Sequence, residues 1–142
     1  MATIVESEIQ KENATLATGD EALEKAMDII EAYGLPGGLL PLKDVLEAGI
    51  VEETGQVWIK QKNELKHHFK KADKQVIYSP TITCKLEKNK MKNIKGVKAR
   101  DMMLWVPINE IEVDEKNPVK IHFRSIGGLT RTFPVEFYAR GE

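Results

Sequence analysis

A single cysteine, Cys84, leaves the 142-residue chain with no partner for an internal disulfide. A chain of this length can bury enough core to fold without staples, and a lone thiol suits a reducing compartment better than a secreted scaffold. The opening stretch MATIVESEIQKENATLATGDE has no basic start and no long apolar run. It is read as neither a signal peptide nor a transmembrane anchor. The expected location is therefore cytoplasmic, with peripheral attachment to a membrane as the variant. No His or Cys has the spacing of a zinc site, and His67 and His68, adjacent on an extended segment, point to opposite faces. No nucleophile elbow, phosphate-binding glycine loop or dinucleotide fingerprint occurs. These absences exclude the common metal and nucleotide classes, so no metal and no cofactor is expected.

Charge is plentiful but unevenly placed. Residues 1–55 carry three lysines against twelve acids, a net of −9. Residues 60–98 carry twelve lysines against three acids, a net of +9, and the remainder is nearly balanced. The two blocks either complement each other across the fold or leave the basic one to meet an anionic surface. The basic block has no arginine and lacks the regular aromatic interleaving of a stacking platform, which argues against nucleic acid. Lipid headgroups or an acidic protein face fit it better.

Residues 1–17 read as a flexible lead-in and 18–140 as one domain. A helix is predicted over about residues 19–33. Thr18-Gly19-Asp20-Glu21 has capping-box spacing, and Leu23, Ala26, Met27, Ile30 and Tyr33 form an apolar stripe that Gly34 and Pro36 end. GLPGGLLPL, residues 34–42, is a turn whose leucines tie it to the core, and a short helix is expected from Lys43 to Ala48. From Ile50 onward the period is two, with strands at 56–60, 65–70, 75–79, 81–87, 96–100, 102–107, 109–113, 119–124 and 129–133. Short strands with turn signals between them predict a mostly β (α+β) fold, an antiparallel β-barrel or two-sheet sandwich preceded by an N-terminal helix.

In such a fold Trp58, Tyr78, Met103, Trp105 and Phe123 are candidates to line an apolar pocket, with core packing as the plainer reading. Leu65, His67 and Phe69 alternate with Lys66, His68 and Lys70. The basic set, extended by Lys71, is therefore a candidate anionic-surface patch on one face. Cys84, on an apolar strand face, reads as a small buried hydrophobe. A hydrolase would have to assemble Ser79 or Ser125 with His67, His68 or His122.

The stretches GLPGGLLPL, ETGQVWIKQK (53–62), IKGVKARDMMLWVPINEIEV (94–113) and GGLTRTFPVEFY (127–138), in this order and spacing, are decisive for a family. The chain resembles the plant proteins grouped as domain of unknown function 538, over roughly residues 20–138, in a branch without a signal peptide. Branches with a secretory segment and paired cysteines differ on both points, so neither feature is carried over. The resemblance implies a β-barrel or two-sheet structure behind a helix and a role in plant stress or growth. It also implies one of three activities: lipid binding like that of bactericidal/permeability-increasing proteins, hydrolysis, or chlorophyll binding. It supplies no catalytic motif. The expected function is a non-catalytic binding module for a lipophilic or amphipathic small molecule, or an anionic lipid surface. A protein–protein adaptor in stress signalling and a weak hydrolase are the alternatives.

Overall fold

The apolar stripe predicted to be helical does form a helix in the computed structural model, which describes residues 15–141. Helix α1, Ala22–Ala32, buries Ala22, Ala26 and Ile30 along one line, with Leu23, Met27, Ile29 and Tyr33 packed at its flanks. Two alanines at the contact let the helix backbone sit close to the sheet. The end is as the glycine suggested. Gly34 takes φ +93°, its N–H donates to the Glu31 carbonyl (3.0 Å), and the Leu35 N–H donates to the Ile30 carbonyl (3.0 Å). These are the paired bonds of a Schellman ending. The start differs. Thr18 makes no side-chain cap bond, because it belongs to strand β1, Thr15–Thr18, and a 3-10 turn, Gly19–Glu21, intervenes before α1. The expected lead-in at 1–17 otherwise lies outside the described residues.

Lys43–Ala48 is not the expected short helix. Val45–Val51 is strand β2, paired with β1 on one side and with β3, Gln56–Gln61, on the other. The β-branched Val45, Ile50 and Val51 favour a strand, and pairing on two sides overrides the helix preference of Leu46-Glu47-Ala48. The remaining strands are β4 (Leu65–Phe69), β5 (Lys74–Glu87), β6 (Lys90–Asp101), β7 (Leu104–Val113), β8 (Lys120–Ser125) and β9 (Thr130–Pro134). Five of the predicted short strands thus merge pairwise or extend into the long β5, β6 and β7. All pairings are antiparallel, in the order β1-β2-β3-β5-β6-β7-β8-β9, with β4 following β3 along the same edge of β5. The mostly β architecture with one N-terminal helix holds among the described residues, but the sheet ends at β1 and β9 and does not close. The barrel alternative is corrected to an open, bent sheet.

Pro80 marks the bend. It has no N–H to give to a ladder, and it stands where β5 passes from β4 (last pair Leu65↔Tyr78) to β3 (first pair Lys60↔Thr81). The Gln61 side-chain amide donates to the carbonyls of Tyr78 (3.1 Å) and Ser79 (3.0 Å), replacing the missing ladder. Across from the bend Gly96 takes φ +93°, and a Cβ there would overlap the Thr81 carbonyl oxygen. The bent sheet curls over Leu39, Leu40 and Tyr138, the last from the 3-10 turn Val135–Tyr138. The Tyr138 ring lies 4.9 Å from that of Phe69 on β4 and 4.8 Å from that of Phe123 on β8. Strands distant in sheet order therefore meet on one tyrosine. Arg140 then ties the chain end to α1 through Asp28 (2.7 Å) and Glu31 (2.6 Å), and its hydrogen bonds hold the Glu31 carboxyl below its ordinary pKa.

Helix docking is tested at Ile30. Ile30→Ala should cost roughly 2–5 kcal/mol in urea unfolding, because a fully buried branched side chain leaves a cavity. Met27→Asp, at the half-buried flank, should lower the melting temperature less than Ile30→Asp. Equal losses would mean the helix presents a different face.

Candidate functional site

Alternation on the three long strands sends Val76, Tyr78 and Ile82, then Val97 and Ala99, then Val106 and Ile108 to the concave side. Together with Leu39, Phe69, Phe123, Phe133 and Tyr138 they enclose a cavity of about 60 Å³. The walls are almost wholly apolar. Polar lining comes at one end, from Lys74, Arg100, Asp101, Ser125 and Arg131, with Leu129 beside them. By register these residues sit at the start of β5, the end of β6, the end of β8 and the start of β9, all one end of the sheet.

Asp101 organises that rim. Its two oxygens accept from Arg131 Nε (2.7 Å) and Nη2 (2.9 Å), and Lys74 Nζ stands 3.6 Å away. Arg131, then Lys74, hold the Asp101 carboxyl below the usual aspartate range. Two cations thus meet one carboxylate. The sequence singles out neither Asp101 nor Arg131. Asp101 and Arg131 lie thirty positions apart and meet only through sheet register. The one local sign is period two, since Val97-Lys98-Ala99-Arg100-Asp101 puts an acid on the inward face of a strand.

Of the pocket candidates, Tyr78 and Phe123 line the cavity. The Tyr78 hydroxyl donates to the Leu39 carbonyl (2.7 Å), so the ring, not the oxygen, forms the wall, and burial pushes its pKa up. Trp58 lies on β3, over Gly49, with its indole N–H donating to Glu47 (2.6 Å). Trp105 faces away from Val106, with Lys66 Nζ and Arg100 Cζ each 5.5 Å from its ring centre. Met103 is in a turn. Asp101↔Leu104 is the last pair of the β6–β7 hairpin, and Met102 (φ 49°) and Met103 (φ 70°) make its two-residue loop. The strand expected to begin at Met102 therefore begins at Leu104. Trp58, Met103 and Trp105 are not among the cavity's lining.

The basic set behaves as its alternation suggested. Lys66, His68 and Lys70 are exposed, while Phe69 is buried against Tyr138. His68 Nε2 is 3.0 Å from Asp73, and Lys71 is in the turn that follows β4. Asp28 and Glu31 of the acidic α1 bond Arg140.

For the hydrolase sets, Ser125 Oγ accepts from the Leu129 N–H (3.1 Å). His122 meets a threonine rather than a serine. Its Nε2 donates to Asp114 (3.0 Å), and Nδ1 lies 2.7 Å from Thr132 Oγ1. His122 and Thr132 are direct cross-strand partners, so this contact is what the register imposes. Among the described residues no cluster of three or more His, Cys, Asp or Glu could hold a metal ion, and no helix is long and apolar enough to cross a membrane.

A family model described as a protein of unknown function, DUF538, matches residues 26–139. The chain belongs to the DUF538 family. No curated protein and no solved structure matches it. The match spans α1 beyond its first turn, all strands from β2 on and the closing Tyr138, so the cavity and its rim lie wholly within the DUF538 segment.

Two outcomes follow for this DUF538 chain. Cys84 is buried, and desolvation pushes its thiol up to about 12. A thiol reagent should label the native protein far more slowly than the unfolded one, and equal rates would refute the placement. Asp101 has a depressed folded pKa, so its stabilisation is complete above the unfolded value of about 4 and is lost as pH falls through the folded value. The melting temperature of the wild type should therefore drop more than that of Asp101→Asn as pH is lowered below about 4.

Proposed function

We propose that this DUF538 chain is a non-catalytic binding module for an amphipathic small molecule, with the alkyl part in the cavity and an anionic head at the rim. The observation that carries the reading is the pairing of an apolar hollow with a cationic mouth, where Arg131 and Lys74 flank a single carboxylate. Apolar surface removed from water drives the tail inward, and a charge-assisted bond fixes the head. The size sets the class. A single water needs about 10–15 Å³, so a hollow of 60 Å³ takes a few methylene groups and not a fused ring system. A longer chain requires the mouth to widen, and the partly exposed Leu129, next to Gly127 and Gly128, stands at that mouth. The setting in plant stress or growth that the family resemblance implies, and the cytoplasmic location expected from the lone cysteine, accompany this proposal. Localisation of the tagged full chain in plant cells tests them.

Titration calorimetry with single-chain carboxylic acids of graded length, and with the matching alcohols, tests the binding. Acids should bind more tightly than alcohols of equal length. Ala99→Phe, which fills the hollow from β6, should weaken the acids by about tenfold or more, equivalent to about 1.4 kcal/mol. Undiminished binding in Ala99→Phe, or no binding of any chain length, removes the cavity from the function.

A further inference from the structure

Six non-glycine residues among those described have positive φ: Asp44, Asp73, Asn89, Asn93, Met102 and Met103. The first four are the residue types that tolerate the left-handed region. Met102 and Met103 are not, and they occupy both loop positions of a tight hairpin, where Asn-Gly or Asp-Gly is strongly preferred. Their side chains gain nothing from the fold, since each is 82% exposed, and the next residue, Leu104, is 67% exposed. The chain follows the turn rule elsewhere and breaks it where the result is three consecutive large apolar side chains in water. Folding stability does not account for that choice, so it points to something outside the chain.

The surroundings narrow what that is. The neighbouring β8–β9 turn adds Ile126, 69% exposed, whose N–H donates to the Pro107 carbonyl. Directly behind the tip, Trp105 lies between Lys66 and Arg100. The turn after β4 brings Lys70 to the same end, and Lys74 and Arg131 are held there on Asp101. The acids at this end are Asp73, beside His68, and the buried Asp101. Passing inward from the tip one meets flexible thioethers and a leucine, then an indole, then lysine and arginine. A bilayer surface presents the complementary order: hydrocarbon, interface, phosphate. Lysine and arginine bury their stems while the charges stay with the headgroups, and anionic lipid adds attraction for each cation near the surface.

We propose that the β6–β7 hairpin docks this chain on an anionic lipid bilayer, with Met102, Met103 and Leu104 inserted and Lys66, Lys70 and Arg100 on the headgroups. The cavity mouth, with Lys74 and Arg131 on Asp101, is at this same end, so docking presents the mouth to the membrane. That consequence rests on the binding reading above, whereas the docking does not.

The test uses the full chain and sedimentation with vesicles of phosphatidylcholine alone or mixed with phosphatidylglycerol. The wild type should sediment with the mixed vesicles and not with the neutral ones, and Trp105 emission should shift to the blue, a shift absent in Trp105→Phe. The double variant Met102→Asn/Met103→Gly installs the favoured turn. It should melt at or above the wild-type temperature while losing about tenfold or more of vesicle affinity. Lys66→Glu with Lys70→Glu should lose binding as well, and salt should weaken the wild type. Wild-type protein that ignores mixed vesicles overturns the proposal, and so does a turn variant that binds them equally. Concentration-dependent dimerisation that the turn variant abolishes, without vesicle binding, would assign the tip to a second copy instead. Acid binding in the turn variant, read by calorimetry, should match the wild type, so a failed membrane result and a failed cavity result remain separate.

Discussion

Everything on the concave side depends on how β5 survives a proline in its middle. Pro80 interrupts the ladder where one long strand changes neighbours, and Gln61 supplies from its side chain the donors that the backbone lacks. Between Tyr78 and Thr83 the strand takes five steps while β6 takes two, from Val97 to Lys95. That surplus is a bulge, and bulges bend the strand and increase its local twist. Gly96 accepts the close approach on the other side. A straight β5 would carry a flat sheet, and Phe69 and Phe123 would not reach the same tyrosine. Curvature places the hollow, and Leu39, Leu40 and Tyr138 close it from outside the sheet.

The second organising contact is electrostatic. Asp101 ends β6 with its carboxylate turned inward, where an unpaired charge would be costly. Arg131 and Lys74 satisfy it from strands on either side. The contacts therefore tie the start of β5 and the start of β9 to the end of β6, and two strands, β7 and β8, separate β9 from β6 in the sheet. It also fixes two cations at the only polar stretch of the cavity wall. One carboxylate thus closes the rim and sets its sign, since the partners it gathers exceed its own charge.

How much of this was legible in the sequence depends on the range of the interaction. Helix α1 was readable because its stripe and its Gly34 ending are local, although Thr18 looked like a cap until β2 claimed it for an edge strand. The exposed alternation of Lys66, His68 and Lys70 was readable for the same reason. The segment from Lys43 misled because Leu46-Glu47-Ala48 favours a helix while its fate is decided by β1 and β3. Tyr78 and Phe123 were recognisable as large inward side chains. Trp58 and Trp105 looked equivalent to them, and only register separates an inward position from an outward one. The Asp101–Arg131 pair was illegible, because thirty residues of chain separate two groups that a folded sheet puts 2.7 Å apart.

Met102-Met103 is the instructive failure. The residues carry no turn signal, so a propensity reading runs β7 through them. The true hairpin is forced by its flanks: β6 and β7 pair up to Asp101↔Leu104, leaving two residues to reverse the chain. Left-handed backbone at a bulky residue costs roughly 1–2 kcal/mol, a noticeable share of a small domain's stability. Asn and Gly would remove that cost through two exposed side chains that touch no core residue. Natural chains depart from locally favoured residues mainly where function holds the position, and a pair of solvent-exposed methionines offers the fold no compensating contact. The same end of the sheet carries the polar mouth of the cavity and the lysines of β4. An apolar tip, an indole behind it, a cationic collar and an opening into an apolar interior therefore occupy one end of one curved sheet. The arrangement follows from two facts of register, that β5, β6, β8 and β9 all turn at that end and that the bend at Pro80 makes the hollow face it.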